Sequence, residues 1–261
     1  MGLGGEDSSG SGARKRVDDA RITVLTGAGI SCESGIPTFR GPGGLWAQGG
    51  ADAMARATRL EFGRQPLDGW RWHWELLEVC RTSVPHEAHL ALVELELALG
   101  DRFRLVTQNV DGLHLAAGNR RVHEVHGSLH RMRCLGECGA PGRPPPLCLE
   151  LEQLHCGGCG GWMRPSVLWF DEFYDDVYCD FTPAMAAVVE ADILLVIGTS
   201  GSTTFPALAL ESAESRGIPV IDVNPADGPF RALAAKSPGG FVVQGAAGRA
   251  VPEVVRGLLR G

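Results

Sequence analysis

Cys134 and Cys138, with three residues between them, and Cys156 and Cys159, with two, are grouped as metal ligands are grouped. Seventeen residues separate the two pairs, on a stretch rich in Gly and Pro. Four thiolates fill a tetrahedral zinc sphere, so the ion would be structural, with no open position for chemistry. An insert so short and poor in apolar residues would depend on the ion for its fold. The alternative is four reduced or disulfide-linked cysteines. Cys148 competes as a ligand but lacks a close partner, while Cys32, Cys80 and Cys179 read as packing residues.

A second group of residues points to a nucleotide. The run from Gly27 to Gly41, GAGISCESGIPTFRG, follows the β-branched stretch Ile22 to Thr26. A buried strand feeding a glycine turn is how an open α/β sheet presents a dinucleotide to a helix start. Gly27 and Gly29 would let the backbone approach a pyrophosphate, with N–H groups aimed at it. Cys32 stands where the third glycine of the usual fingerprint would be, so a plain strand–helix turn is also compatible. Further on, Thr107 to His114 reads TQNVDGLH directly after an apolar strand, where open sheets bind ligands. Gln108 and Asn109 offer donors and acceptors suited to ribose hydroxyls or a carboxamide; the other reading is an Asn/Asp-Gly turn. His126, before Gly127, could act as a general base, and His123 would face the opposite way on an extended segment. Gly198-Thr199-Ser200 and Asn224-Pro225-Ala226 end two more strands. Four such strand ends around one glycine turn imply a shared ligand site.

These residues need a scaffold. Short apolar runs at Ile22–Thr26, Phe103–Thr107, Ile193–Gly198, Val220–Val223 and Phe241–Val243 read as buried parallel strands, with a short sixth near Val122–Val125. Helices are expected at His86–Leu99, Pro183–Glu190, Pro206–Arg216 and Val251–Leu259. The alternation predicts an α/β fold, a Rossmann-like parallel sheet with helices on both faces. Residues 21–46, 85–128 and 165–261 would form this domain. Two segments break the alternation: 47–84, helical and rich in Trp, and 129–164, which holds the cysteines and resembles no sheet unit. Together they would form a smaller domain. Residues 1–20, Gly/Ser-rich with Arg14-Lys15-Arg16, read as a disordered tail rather than a targeting patch.

Composition narrows the classes. The chain of 261 residues is 44% hydrophobic, enough for a full core. Its charge of −7 argues against nonspecific nucleic-acid binding. No apolar run approaches the ~18 residues of a membrane span, and no secretory pattern opens the chain. A cytoplasmic monomer is expected.

Taken together, GAGISCESGIPTFRG, TQNVDGLH, HGS, the paired cysteines, RPSVLWFDE (Arg164 to Glu172), GTS and the Asn224 turn resemble the sirtuins, NAD-dependent protein-lysine deacylases, in the family's order from about Arg21 to Leu259. The resemblance implies that NAD, as co-substrate, lies between a Rossmann-type domain and a small domain with one structural zinc. Gly27, Ala28 and Gly29 would border the pyrophosphate. Thr38, Phe39 and Arg40 would border the nicotinamide and its ribose, with Glu33 and Trp46 as further cofactor contacts. Gln108, Asn109 and Asp111 would hold the ribose and carboxamide region, Asn109 with a catalytic part. Gly198, Thr199, Ser200, Asn224 and Ala247 would line the adenosine half. His126 matches the general base. Trp169, Phe170, Asp171 and Glu172 would wall the acyl-lysine tunnel and pair with substrate proteins or peptides as a strand. Products would be free lysine, nicotinamide and an O-acyl-ADP-ribose.

The chain departs from the pattern in places. Thr38 and the stretch Gly41 to Trp46 resemble the branch that includes desuccinylases. That branch reads an acidic acyl group with a Tyr and an Arg three residues apart; here the matching positions are His73 and Leu76. Without a fixed cation, burying a succinyl carboxylate is costly, so a neutral acyl group is expected. Arg64 and Arg71 are the cations whose repositioning would rescue acid binding. Asp171 replaces a usual glycine and is expected to alter peptide pairing. Protein ADP-ribosyl transfer and non-catalytic NAD sensing are the competing functions.

Overall fold

A computed structural model describes residues 19–39, 44 and 54–260. Arg40, Trp46 and nearly all of the expected tail lie outside these residues. Six strands form one parallel sheet: β1 (Ile22–Thr26), β2 (Phe103–Thr107), β3 (Val122–Glu124), β6 (Ile193–Ile197), β7 (Val220–Asn224) and β8 (Phe241–Gln244). Their order is β3-β2-β1-β6-β7-β8, with Thr26 level with both Thr107 and Ile197. From β1 the strand order runs outward to β2 and β3 on one side and through β6, β7 and β8 on the other, so the winding switches between β1 and β6, the crevice where doubly wound sheets bind ligands.

The central strands are apolar throughout because both faces are covered. One face, with Ile22, Val24, Leu105 and Leu195, packs on Ala88, Leu92 and Leu95 of α3 (Glu87–Leu99) and on Val251 and Val255 of α8 (Ala247–Arg260). The other, with Leu25, Val106, Leu194 and Val196, packs on α5 (Phe181–Glu190), α6 (Thr204–Arg216) and α7 (Pro229–Ala234). A third apolar cluster lies beyond the sheet. It joins Phe62 of α1 (Arg59–Arg64), Trp70 and Leu77 of α2 (Pro66–Thr82) and Leu113 of the short α4 (Leu113–Ala117) to Met132, Met163 and Trp169.

One expectation needs correction. Segment 129–164 is not devoid of sheet: its ends belong to β4 (Gly127–Cys134) and β5 (Met163–Val167), which pair antiparallel. The partners are far apart in sequence and enclose the Gly/Pro/Cys-rich stretch, so neither strand announces the other. Gly127 makes the bend from β3 into β4 at φ +76°, where a Cβ would lie 2.1 Å from the Ser166 carbonyl oxygen. The helices α4 and α7, one to two turns each, carry too little periodicity to read from sequence.

Two histidines are sealed inside this scaffold. His89 on α3 and His114 on α4 are buried, their rings 5.0 Å apart. His114 Nε2 meets Thr26 Oγ1 at 3.0 Å, and that hydroxyl donates to Thr107 at 2.8 Å across the β1–β2 register. Burial lowers the His89 pKa to about 2 and that of His114 to about 3. Both are neutral in the fold but take a proton below about 6.5 once unfolded. Their stabilisation is therefore complete above about pH 6.5 and lost as pH falls below it, by up to about 1.4 kcal/mol per pH unit each. The melting temperature should hold from pH 8 to 6.5 and then fall, less steeply in His89→Gln. A flat curve between pH 6.5 and 5 would contradict this account.

Candidate active site

The glycine turn sits where β1 and β6 diverge. The Gly27 N–H donates to the Ile197 carbonyl at 3.0 Å, and the Gly29 N–H to that of Gly198 at 2.8 Å. A Cβ on Gly27 would lie 2.8 Å from Thr199, and one on Gly29 2.7 Å from the Gly198 Cα. These glycines are thus required by the neighbouring strand end, whereas the sequence suggested only the approach of a pyrophosphate. The chain continues as a 3₁₀ turn, Ala28–Ser34, not an α-helix.

The β2 loop is tied to this turn. Asn109 Nδ2 donates to the Gly27 carbonyl and to Ser31 Oγ, both at 3.1 Å. Ser31 Oγ donates to Asp111 at 2.7 Å, and Asp111 accepts the Leu113 N–H at the start of α4. Burial raises the Asp111 pKa. Gln108 reaches the other way: its Nε2 donates to Thr199 Oγ1 at 2.8 Å, and its Oε1 accepts from Thr203 at 3.0 Å. Three strand-end loops are thereby locked together before any ligand arrives. Thr203 was not foreseen; its part depends on a partner 95 residues away.

Around these loops lies a cavity of about 600 Å³. Gly27, Ala28, Gly29, Thr38, Phe39, Gln108 and Asn109 line it, as do Gly198, Thr199, Ser200 and Asn224. Glu33, Asp111 and Ala247 are not in its lining. Glu33 instead accepts the Gly248 N–H at 2.6 Å, at the positive end of α8.

His126 lies on the cavity wall between β3 and β4. Its Nδ1 is 3.0 Å from the Gln108 carbonyl oxygen, which can only accept, so Nδ1 carries the proton. The Nε2 lone pair then faces the Tyr174 hydroxyl at 3.0 Å. Tyr174 was not singled out from the sequence, where one of two tyrosines in a polar stretch carries no signal. His123 is away from the cavity, 4.0 Å from Asp180.

The apolar end of the cavity is built by Ala57, Trp72, His73, Leu76, Leu129, Val167 and Trp169. His73 donates from Nδ1 to the Gly69 carbonyl at 2.7 Å and accepts Trp169 Nε1–H on Nε2 at 3.1 Å. Burial lowers its pKa to about 4, so it is neutral. Phe170 and Glu172 also line the cavity, but Glu172 is largely buried. It is ion-paired with Arg164 and, at 3.4 Å, with Arg133, and it accepts the Trp169 N–H at 3.0 Å. The Arg164 guanidinium lies 3.4 Å from the Trp169 ring centroid. Asp171 points elsewhere: it accepts the Arg59 and Leu60 N–H groups at 2.7 and 3.0 Å, capping α1.

The four paired cysteines converge. Their Sγ atoms lie within 4.8 Å of one another, with Cys134–Cys159 at 3.6 Å and Cys138–Cys156 at 3.5 Å. A tetrahedral zinc with thiolates at ~2.3 Å needs edges of about 3.8 Å, so the set fits the ion. Backbone hydrogen bonds from Cys159 and Gly158 draw the Cys156 pKa down to about 6, favouring the thiolate. Cys148 is outside the group and is bonded to Glu150.

Comparison with known proteins agrees with this arrangement. The Sir2 family profile matches residues 27–204. The chain is 37% identical to an NAD-dependent protein deacylase of Leptospira interrogans, covering 92% of this chain and 93% of that protein. It is 41% identical to an NAD-dependent protein deacylase of Thermus thermophilus, covering 85% and 86%. It superimposes on a Sir2 homologue solved with NAD with a TM-score of 0.80, at 34% identity over 94% of this chain and 92% of that one. Topology, strand-end cavity, cysteine cluster and sequence similarity converge: the chain belongs to the Sir2 family, the sirtuins.

Proposed function

We infer that this NAD-dependent protein-lysine deacylase removes neutral acyl groups, acetyl or longer. The observation that carries this reading is the state of His73. Both its nitrogens are taken by Gly69 and Trp169, and burial keeps it uncharged. Among the described residues, none lining the cavity is Arg or Lys. Arg64 and Arg71 are turned to solvent beside Glu61 and Asp68, outside the cavity. A succinyl carboxylate at the apolar end would lose its water without gaining a charge partner.

NAD, when bound, supplies an electrophilic ribose carbon as nicotinamide departs. In this reading Gly27 to Gly29 face the pyrophosphate, and Thr38 and Phe39, with Arg40 and Trp46, border the nicotinamide ribose. Gln108 and Asn109, backed by Asp111, orient the ribose and carboxamide, and Gly198 to Ser200 with Asn224 take the adenosine half. Glu33 and Ala247 act from behind, through the turn and the α8 terminus. His126 accepts a proton from a ribose hydroxyl at Nε2. Trp169 and Phe170 wall the tunnel, Glu172 holds that wall in place, and Asp171 sets its position by capping α1. The sheet-bearing segments form the NAD domain and the remainder the small zinc domain. The substrates are acyl-lysine proteins or peptides. Among the described residues no helix is long and apolar enough to cross a membrane, and the −7 charge disfavours nucleic acid. We take the enzyme to be a cytoplasmic monomer.

Matched acetyl-, decanoyl- and succinyl-lysine peptides, incubated with NAD and followed by mass spectrometry, test the reading. Neutral groups should leave faster, and His126→Ala should lower the rate at least ~100-fold. Preferential desuccinylation would sink the selectivity claim, and mass added to the protein would point to ADP-ribosyl transfer. The double variant His73→Tyr, Leu76→Arg should gain desuccinylation at the expense of deacetylation, since it installs the missing cation.

Elemental analysis should find one zinc per chain. Chelation should lower the melting temperature and abolish deacylation. Full stability in a zinc-free preparation would refute a structural ion.

A further inference from the structure

We propose that Tyr174 is a positioning residue for His126, holding the imidazole in one orientation and in the neutral tautomer whose Nε2 is the accepting nitrogen. The inference rests on the reading of His126 as the general base.

The geometry fixes the direction of each hydrogen bond. Gln108 supplies a carbonyl to Nδ1, which must therefore carry the proton. The Tyr174 hydroxyl at 3.0 Å is then the donor to Nε2. With the ring proton on Nδ1, the phenol proton must lie between the two groups, directed at the imidazole. The ring itself is clamped, 5.0 Å from Phe181 and 6.5 Å from Phe205 by centroid. Both phenylalanines stand at the starts of helices packed on the sheet, so the clamp belongs to the rigid core.

Protonation of Nε2 would force the phenol to turn its own proton away. The side chains of its ring neighbours, Phe181 and Phe205, offer no acceptor. The cost falls on the charged imidazole, so the neutral base is favoured. Among the described residues, the titratable groups on the neighbouring segments are neutral or paired. The Cys179 thiol, five residues on from Tyr174, is pushed up to about 11 by burial and stays neutral. Glu124 is paired with Arg131 at 2.8 Å, and Asp180 lies 4.0 Å from His123. When a substrate hydroxyl enters, it displaces the phenol proton from Nε2 and meets a base already in the right tautomer.

Tyr174→Phe keeps the ring and removes only the hydroxyl. In the ligand-free full chain, the His126 imidazole would be titrated by NMR and assigned with His126→Ala. Its pKa should rise in the variant by roughly half a unit to one unit. The acid limb of the pH profile of kcat/KM for deacetylation should move upward with it, so that activity falls more at pH 6 than at pH 8.5. Superimposable titrations of the two proteins would overturn the proposal, whatever the role of His126. So would a shifted imidazole with an unshifted rate profile, or a loss equal at every pH, since a purely structural role predicts the latter. The imidazole titration does not depend on turnover, and loss of the general-base reading would show separately as an active His126→Ala.

Discussion

The arrangement depends on one close approach of backbone to backbone. At the point where β1 and β6 part, the glycine turn and the Gly198 loop meet with no space for a single Cβ on Gly27 or Gly29. Gly198 itself is held at φ +62°, a conformation that side chains disfavour. Two backbone hydrogen bonds close the contact. With the two strand ends fixed this tightly, Asn109 can reach the Gly27 carbonyl and Gln108 can reach Thr199 and Thr203. Polar residues that would otherwise scatter over three loops become one preformed lining. A ligand entering such a cavity does not have to order it first.

A second constraint links the cysteine module to the wall of the apolar pocket. Glu172 accepts hydrogen bonds from Arg164, Arg133 and the Trp169 backbone, while Arg59 bridges toward it and is paired with Glu137 between the cysteines. Buried charges of this kind gain little over an apolar packing of the same shape, but removing one partner leaves the others stranded. The network therefore contributes shape more than net stability. It holds Trp169 with its indole N–H on His73 and the Arg164 guanidinium over its ring. A metal-bound module some distance from the reacting atoms can in this way govern the form of the acyl pocket.

The histidines illustrate how burial assigns roles to identical side chains. His73, His89 and His114 are each driven to the neutral state by loss of water. Two of them hold elements together, at the N-terminal turn of α3 and across the β1–β2 register. His73 shapes an apolar pocket by bridging a helix carbonyl and an indole. His126 differs in bordering the cavity, with its Nε2 lone pair directed at the Tyr174 hydroxyl.

Much of this was legible in the sequence. The six parallel strands, the helices α3, α5, α6 and α8 and the cysteine pairs were readable because their signals are local: apolar runs, capping residues and short spacings. The motif order alone identified the sirtuin resemblance, and the sequence placed His73 and Leu76 at the acyl end, where both line the cavity. What the sequence did not show depends on partners distant along the chain. The β4–β5 pair joins segments either side of the cysteine insert. The need for Gly27 and Gly29 comes from Gly198, more than 160 residues on. Asp171 caps a helix that begins 112 residues earlier. The Tyr174 hydroxyl meets His126 only because Phe181 and Phe205 clamp its ring from two further helices. The sequence by itself determined which chemical groups the protein carries and the local elements that hold them. Tertiary structure decided which of those groups face the cavity and which are spent on one another, because hydrogen bonds and steric contacts act over a few ångströms in space, whatever the separation along the chain.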